Sequence, residues 1–163
     1  MRHLTFVDNN DVTLLESGTA FFPALVAALD AARYDVLFET YIFAEDPTAH
    51  LVRDALVRAA RRGVKVRVLV DWIGTEHRPA ARLGVVFAQA GVQYRVFNPW
   101  CRRGIARSHR KIVVVDREVA FVGGININDD WRCDHAEHQR LSAPRWDFTV
   151  RVAGPLVSHI HDE

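Results

Sequence analysis

The sequence predicts an α/β fold, with a mixed, mostly parallel sheet flanked by helices. Strand-like and helix-like patterns alternate from residue 12 to residue 97. The apolar runs are short and bounded by turn residues, as buried strands require. From residue 110 onward the alternation gives way to the signature of a hairpin.

The elements follow in order. Val12–Glu16 reads as a short strand. Ala20–Arg33 reads as a helix with Phe22, Leu25, Val26 and Leu29 on one face. Asp35–Phe43 has apolar residues on both faces, as a central strand should. The next helix has Asp46 as its cap, Pro47 in its first turn and Gly63 at its exit. Leu51, Val52, Ala55, Leu56 and Ala59 are its expected buried stripe. Val64–Asp71 is another strand, Arg82–Ala90 a helix ending at Gly91, and Val92–Phe97 a strand. This β-α-β-α-β series implies parallel pairing with crossover helices. Arg110–Val115 and Val119–Val122 flank a tight Asp-Arg-Glu turn and predict a hairpin. Asn126–Pro144 is polar and aperiodic, and Trp146–Val152 is a last strand. Gly154-Pro155 opens a helix from Leu156. It stops uncapped at Glu163, so the single domain over residues 1–163 is expected to end inside an element.

Composition sets limits. The chain has 163 residues, 49% hydrophobic and 25% charged, enough for one domain with a real core. A net charge of +1 gives no whole-molecule field for nucleic acid and argues against that partner. All but two of the 21 basic residues are arginines, so the two lysines, Lys65 and Lys111, stand out. Cys101 and Cys133 form no disulfide framework and are expected as thiols. Met1–Asn10 lacks the apolar segment of a secretory signal. No apolar run approaches the ~20 residues of a membrane span, so a membrane would be met from its surface.

The chemistry concentrates in Ser108-His109-Arg110-Lys111-Ile112-Val113-Val114-Val115-Asp116, the pattern H-x-K-x4-D. Residues two apart on a strand share a face, so His109 and Lys111 project into one space, with Val113 and Val115 continuing that face. Lys111 suits the oxygens of an anionic phosphodiester. His109 suits a nucleophile or a proton donor near neutral pH. Asp116, where strand meets turn, is expected to order backbone rather than react. The second strand runs into Gly123-Gly124-Ile125-Asn126. Its glycines permit close approach of backbone to phosphate, and the Asn126 amide can donate to a phosphate oxygen. Ser108 and the backbone at Gly124 are weaker candidates for the same task. Glu39, mid-strand among apolar residues, should either face the site or pair with a core arginine, because an unpaired buried carboxylate is costly.

The stretch His109–Asn126 resembles the HKD motif of the phospholipase D superfamily. Leu14-Glu16-Ser17-Gly18, Glu39-Thr40-Tyr41-Ile42-Phe43, Gly63–Asp71, Phe121–Asn126, Trp146-Asp147 and Gly154-Pro155 are similar to the bacterial cardiolipin synthase branch, over nearly the whole chain. The resemblance implies a phospholipase D-type half-domain, the N-terminal one, in which two HKD motifs meet across a pseudo-twofold axis. One His forms a phosphohistidine and the other protonates the leaving alcohol. His109 would be the nucleophile, Lys111 and Asn126 would hold phosphate, and Asp147 would orient His109. Without the resemblance, Asp147 reads as a strand-edge carboxylate. No metal or cofactor is implied. The implied reaction converts two phosphatidylglycerols to cardiolipin and glycerol, at the cytoplasmic face of the inner membrane, by a peripheral protein.

The chain carries one H-x-K pattern of this kind, whereas a cardiolipin synthase has two. The second HKD half is therefore expected from a second copy, or from a separate or missing C-terminal half. The rival readings are a homodimeric hydrolase, either phospholipase or nuclease, and an inactive remnant. Arg102, Arg103, Arg107, Arg110 and Lys111 form either a phosphate-attracting rim or a solvated loop. Trp100 and Trp131 suit a membrane interface or ordinary packing. Cys133, Asp134, His135 and His138 match no zinc spacing and read as a polar loop.

Overall fold

A computed structural model describes residues 6–133 and 136–162. The elements in chain order are β1 (Asp11–Glu16), α1 (Ser17–Ala31), β2 (Asp35–Thr40), α2 (Pro47–Arg61), β3 (Lys65–Asp71), α3 (Trp72–Thr75), α4 (His77–Ala90), β4 (Gln93–Phe97), β5 (Arg102–Ile105), β6 (Ile112–Val115), β7 (Val119–Gly123), β8 (Arg132–Cys133), β9 (Ala136–Arg140), β10 (Phe148–Ala153) and α5 (Leu156–His161).

Seven strands form one sheet in the order β1-β10-β7-β6-β2-β3-β4. The expected mixed sheet flanked by helices is present, but its balance differs from the expectation. Within this sheet the parallel pairs are β2–β3 and β3–β4. The pairs β1–β10, β10–β7, β7–β6 and β6–β2 are antiparallel. The physical reason lies in the connections. The crossovers α2 and α4 return the chain in the same direction, whereas the tight turn at Asp116-Arg117 reverses it. Both turn residues have positive φ (53° and 58°), and Glu118 N closes the turn on Val115 O at 2.9 Å.

The core lies between the sheet and the layer of α1, α2 and α4. Leu25 and Leu29 of α1, Val52 and Leu56 of α2 and Phe87 of α4 are fully buried against Val36, Val66 and Val70 of the sheet. Leu51 departs from the expected stripe at 61% exposed, because Ala49, Val52, Ala55, Leu56 and Ala59 already complete the buried face of α2. The opposite sheet face carries a smaller cluster, in which Val157 of α5 packs on Val114, Ala120 and Val152. Alternation along β6 therefore works as expected: Val113 and Val115 join the large core, and Ile112 and Val114 join the small one.

Several boundaries moved, among them that of β6, which begins at Ile112 rather than Arg110, so that His109 and Lys111 lie just before it. β2 ends at Thr40 rather than Phe43, because the next residues leave the ladder for side-chain partners described below. α4 begins at His77 rather than Arg82; Pro79 sits in its first turn, where no N–H is required. The aperiodic stretch after Asn126 holds the short antiparallel pair β8–β9. No helix among the described residues is long and apolar enough to cross a membrane. Met1–Thr5 of the expected non-signal terminus lie outside the described residues, as do Asp134 and His135 of the polar loop. Among the described residues no cluster of His, Cys, Asp and Glu could hold a metal.

Candidate active site

Three neighbouring strands bring the site together at one end of the sheet. His109 and Lys111 precede β6, Gly124 and Asn126 follow β7, and Asp147 precedes β10. The backbone ties these ends to one another. Gly123 N donates to Lys111 O at 3.3 Å, and Gly124 N donates to Phe148 O at 2.9 Å.

His109 is exposed and Lys111 half-buried. Lys111 Nζ lies 3.1 Å from His109 Nδ1 and 3.4 Å from Nε2, and donates to His109 O at 3.2 Å. The spacing of two that placed both on one face is thus realised as direct contact. The buried ring of Tyr41 completes the pair: its centroid is 4.5 Å from that of His109, and Lys111 Nζ lies 5.4 Å from it. An ammonium near a ring face gains a cation–π attraction, and the ring limits where the imidazole can swing. Tyr41 was not singled out from the sequence. Its signal in the sequence is its place in the stretch Glu39–Phe43, which carries the family resemblance and leads into the site.

Asn126 is half-buried, and its Oδ1 accepts from Ile42 N at 3.2 Å. That bond fixes the amide, and its Nδ2 makes no hydrogen bond among the described residues. The same bond explains where β2 ends. Ile42 N turns to Asn126, Thr75 Oγ1 donates to Tyr41 O at 3.1 Å, and Phe43 N donates to Thr75 Oγ1 at 3.2 Å. These ties fix Tyr41 at the edge of the site.

Ser108 is an anchor. Its N–H donates to Asp71 Oδ2 at 2.7 Å and its hydroxyl bonds Glu39 Oε1. Both its donors are committed within the protein, unlike the phosphate contact expected of it. Glu39 pairs with Ile112 across the ladder and so shares the small-cluster face, opposite Lys111. It pairs with Arg110, Nη2 to Oε2 at 3.3 Å, at the sheet surface rather than with a core arginine. Glu39 therefore holds the residues on both sides of His109. Asp71 is fully buried and was also not singled out. Its Oδ1 accepts from Ile73 and Gly74 N–H groups at 2.8 and 3.2 Å, opening α3, while Oδ2 takes Ser108.

Asp116 orders backbone, as expected, but not in its own turn. Its carboxylate accepts from Arg33, Tyr34 and Asp35 N–H groups at 2.8, 2.8 and 2.9 Å, where α1 passes into β2. Gly124 has its N–H in the sheet rather than free for phosphate. The space a Cβ would take there is filled by the Asp147 carboxylate, whose Cγ would lie 2.8 Å from it. Asp147 is half-buried and accepts from Phe148 N at 2.7 Å. It shares the strand ends with His109, but no hydrogen bond joins the two side chains among the described contacts. Asp130 stands nearby, accepting from Gly18 N at 2.7 Å. Burial raises its pKa above the ordinary carboxylate value; the Gly18 bond and Arg145 oppose the shift, while Asp129 and Asp147 add to it.

A solvent-facing imidazole beside an ammonium, with a free amide N–H at the same end of the sheet, can attack or protonate at a phosphodiester. Comparisons with known proteins identify the family. The family described as "Cardiolipin synthase, PLD-like domain" matches residues 25–136. Cardiolipin synthase B of Salmonella typhimurium is 37% identical over 159 residues, covering 94% of this chain and 37% of that protein. Cardiolipin synthase A of Pseudomonas putida (strain GB-1) is also 37% identical, covering 94% of this chain and 32% of that protein. The chain thus spans about a third of the length of these relatives. The phospholipase D family member Nuc from Salmonella typhimurium has the same fold, with a TM-score of 0.71 at 19% identity, over 94% of this chain and 91% of that one.

Proposed function

Because the chain belongs to the cardiolipin synthase, PLD-like domain family, we propose that it supplies one half-site of a phosphatidyltransferase acting on phosphatidylglycerol at a membrane surface. The observation that carries this reading is the contact of Lys111 Nζ with both ring nitrogens of His109 beside Tyr41. A phosphate bound at Lys111 and the Asn126 amide would sit within reach of that imidazole.

A ring nitrogen of His109 attacks the phosphorus of phosphatidylglycerol. The P–N bond forms as the P–O bond to glycerol breaks. Glycerol leaves with a proton from the histidine of a second HKD half. A glycerol hydroxyl of a second phosphatidylglycerol then attacks phosphorus, giving its proton to that second histidine and breaking the P–N bond. The products are cardiolipin and glycerol. Lys111 and Asn126 offset the charge that builds on the phosphoryl oxygens. Asp147 orients His109 once substrate draws the Lys111 ammonium onto phosphate and frees the imidazole, since a carboxylate partner fixes tautomer. Its place at the same end of the sheet, just before β10 with β7 between that strand and β6, is what supports this role. The second half comes from another copy of the chain or a separate polypeptide.

The test is turnover of phosphatidylglycerol in mixed micelles by wild type and His109→Ala. We expect cardiolipin from wild type and a loss of roughly 1,000-fold or more in the variant, the scale seen when a covalent nucleophile is removed. Phosphatidic acid without cardiolipin would replace transfer with hydrolysis. Activity surviving in His109→Ala would remove His109 from the chemistry.

A further inference from the structure

An exposed aromatic cluster stands at the same end of the sheet as His109, outside the residues that hold phosphate. Trp72, which follows β3, His77, which opens α4, and Trp100, after β4, pack as a triangle with ring centroids 4.8–5.2 Å apart. Trp100 is 64% exposed, and Ile105 on the same loop is 84% exposed. The loop is held at its neck: Asn98 Nδ2 donates to Gly104 O and Ala106 O, each at 2.9 Å. Asn98, Trp100 and Cys101 all have positive φ, uncommon for residues with side chains, so the loop keeps its shape through these ties. The neck therefore presents large apolar side chains to solvent rather than folding them inward.

Charge identifies the partner. Arg102 and Arg107 flank Ile105, are exposed, and make no ion pair among the described residues. Arginines around exposed Trp and Ile are the pattern of an interfacial anchor: indole and aliphatic groups enter the headgroup boundary while guanidinium groups meet lipid phosphates. A nucleic acid fits less well. Ile105 offers no ring on which a base could stack, and the aromatic rings of the cluster are occupied with one another. The patch also connects to the site, because Asp71, the residue before Trp72, holds Ser108 N beside His109.

We propose that the loop spanning 98–107, with Trp72 and His77, is the surface that docks this chain on a bilayer containing anionic phospholipid, with His109 at the headgroup level. The proposal rests on the phosphatidyl-transfer reading for its purpose but not for its test.

The test is sedimentation of the full chain with vesicles of phosphatidylcholine, with and without phosphatidylglycerol, at low and high salt. Wild type should bind the anionic vesicles and release in salt. Ile105→Asp and Trp100→Asn should each lower partitioning about tenfold. Arg102→Glu with Arg107→Glu should remove only the preference for phosphatidylglycerol. Turnover of soluble bis(p-nitrophenyl) phosphate, run in parallel, reports on the half-site alone and should be unchanged in Ile105→Asp. Vesicle binding without turnover would leave docking standing and remove the enzymatic reading. Absent binding, or binding unchanged in Ile105→Asp, overturns the docking surface. So does a change of mass by light scattering in that variant, which would make the patch a contact between copies, or loss of oligonucleotide rather than vesicle binding.

Discussion

Asp116 shows what one carboxylate can do away from the chemistry. It ends the H-x-K-x4-D pattern, yet its partners are three N–H groups about eighty residues earlier in the chain. Those groups begin β2, which pairs with β6 and leads on to Glu39 and Tyr41. Asp116→Ala would leave three donors without their acceptor. Two of the bonds are exposed and water can replace them, so the expected loss is about 1–2 kcal/mol. Melting temperature should fall by about 2–4 °C for each kcal/mol in a chain of this size. Asp116→Asn keeps one acceptor oxygen and tolerates the positive φ, so it should lose less than half as much. Equal melting of wild type and Asp116→Ala would remove this role. The companion lesson is Ser108, whose hydroxyl looked suited to phosphate but serves Glu39. Residue type limits what a side chain can do, and its neighbours decide what it does.

At the scale of elements, α2 carries more than its own cap. Asp46 is 3% exposed; its Oδ1 accepts from Ala49 N at 2.8 Å, and its Oδ2 accepts from Asp129 N at 2.8 Å. The carboxylate thus joins the start of a helix to the loop that leaves Asn126. Asp46→Ala should cost about 2–3 kcal/mol by urea unfolding, more than the ~1 kcal/mol of an ordinary cap, because it also strands the Asp129 N–H. Asp46→Asn retains an acceptor for the cap and should cost about 1 kcal/mol. A loss of only ~1 kcal/mol in Asp46→Ala would make the loop contact dispensable. The cap itself was legible from Asp46-Pro47, since capping depends on neighbours in sequence. The Asp129 contact was not, because it spans 83 positions.

At the scale of the molecule, the proposed mechanism makes the site one half of a symmetric reaction. His109 and Lys111 are on one chain, and the proposed proton donor is not. If two copies share each site, His109→Ala should act dominantly. Mixed with wild type in about tenfold excess and allowed to exchange, it should lower activity per wild-type chain roughly tenfold. Activity simply proportional to wild-type chain would show that one copy suffices.

The sequence by itself determined the α/β class, the order of most elements, the facing pair His109 and Lys111, and the structural part of Asp116. Each follows from local rules: the two-residue period of a strand, the cap of a helix, the chemistry of a side chain. Tertiary structure alone decided that most strand pairs are antiparallel, that Glu39 and Asp71 fix the residues beside His109, and that Tyr41 lines the site. Gly124 makes the division plain. The sequence offered a flexible backbone for phosphate, whereas in the fold the Asp147 carboxylate fills the space beside it. Contacts between residues far apart in sequence depend on how strands are ordered in the sheet, and no local pattern carries that order.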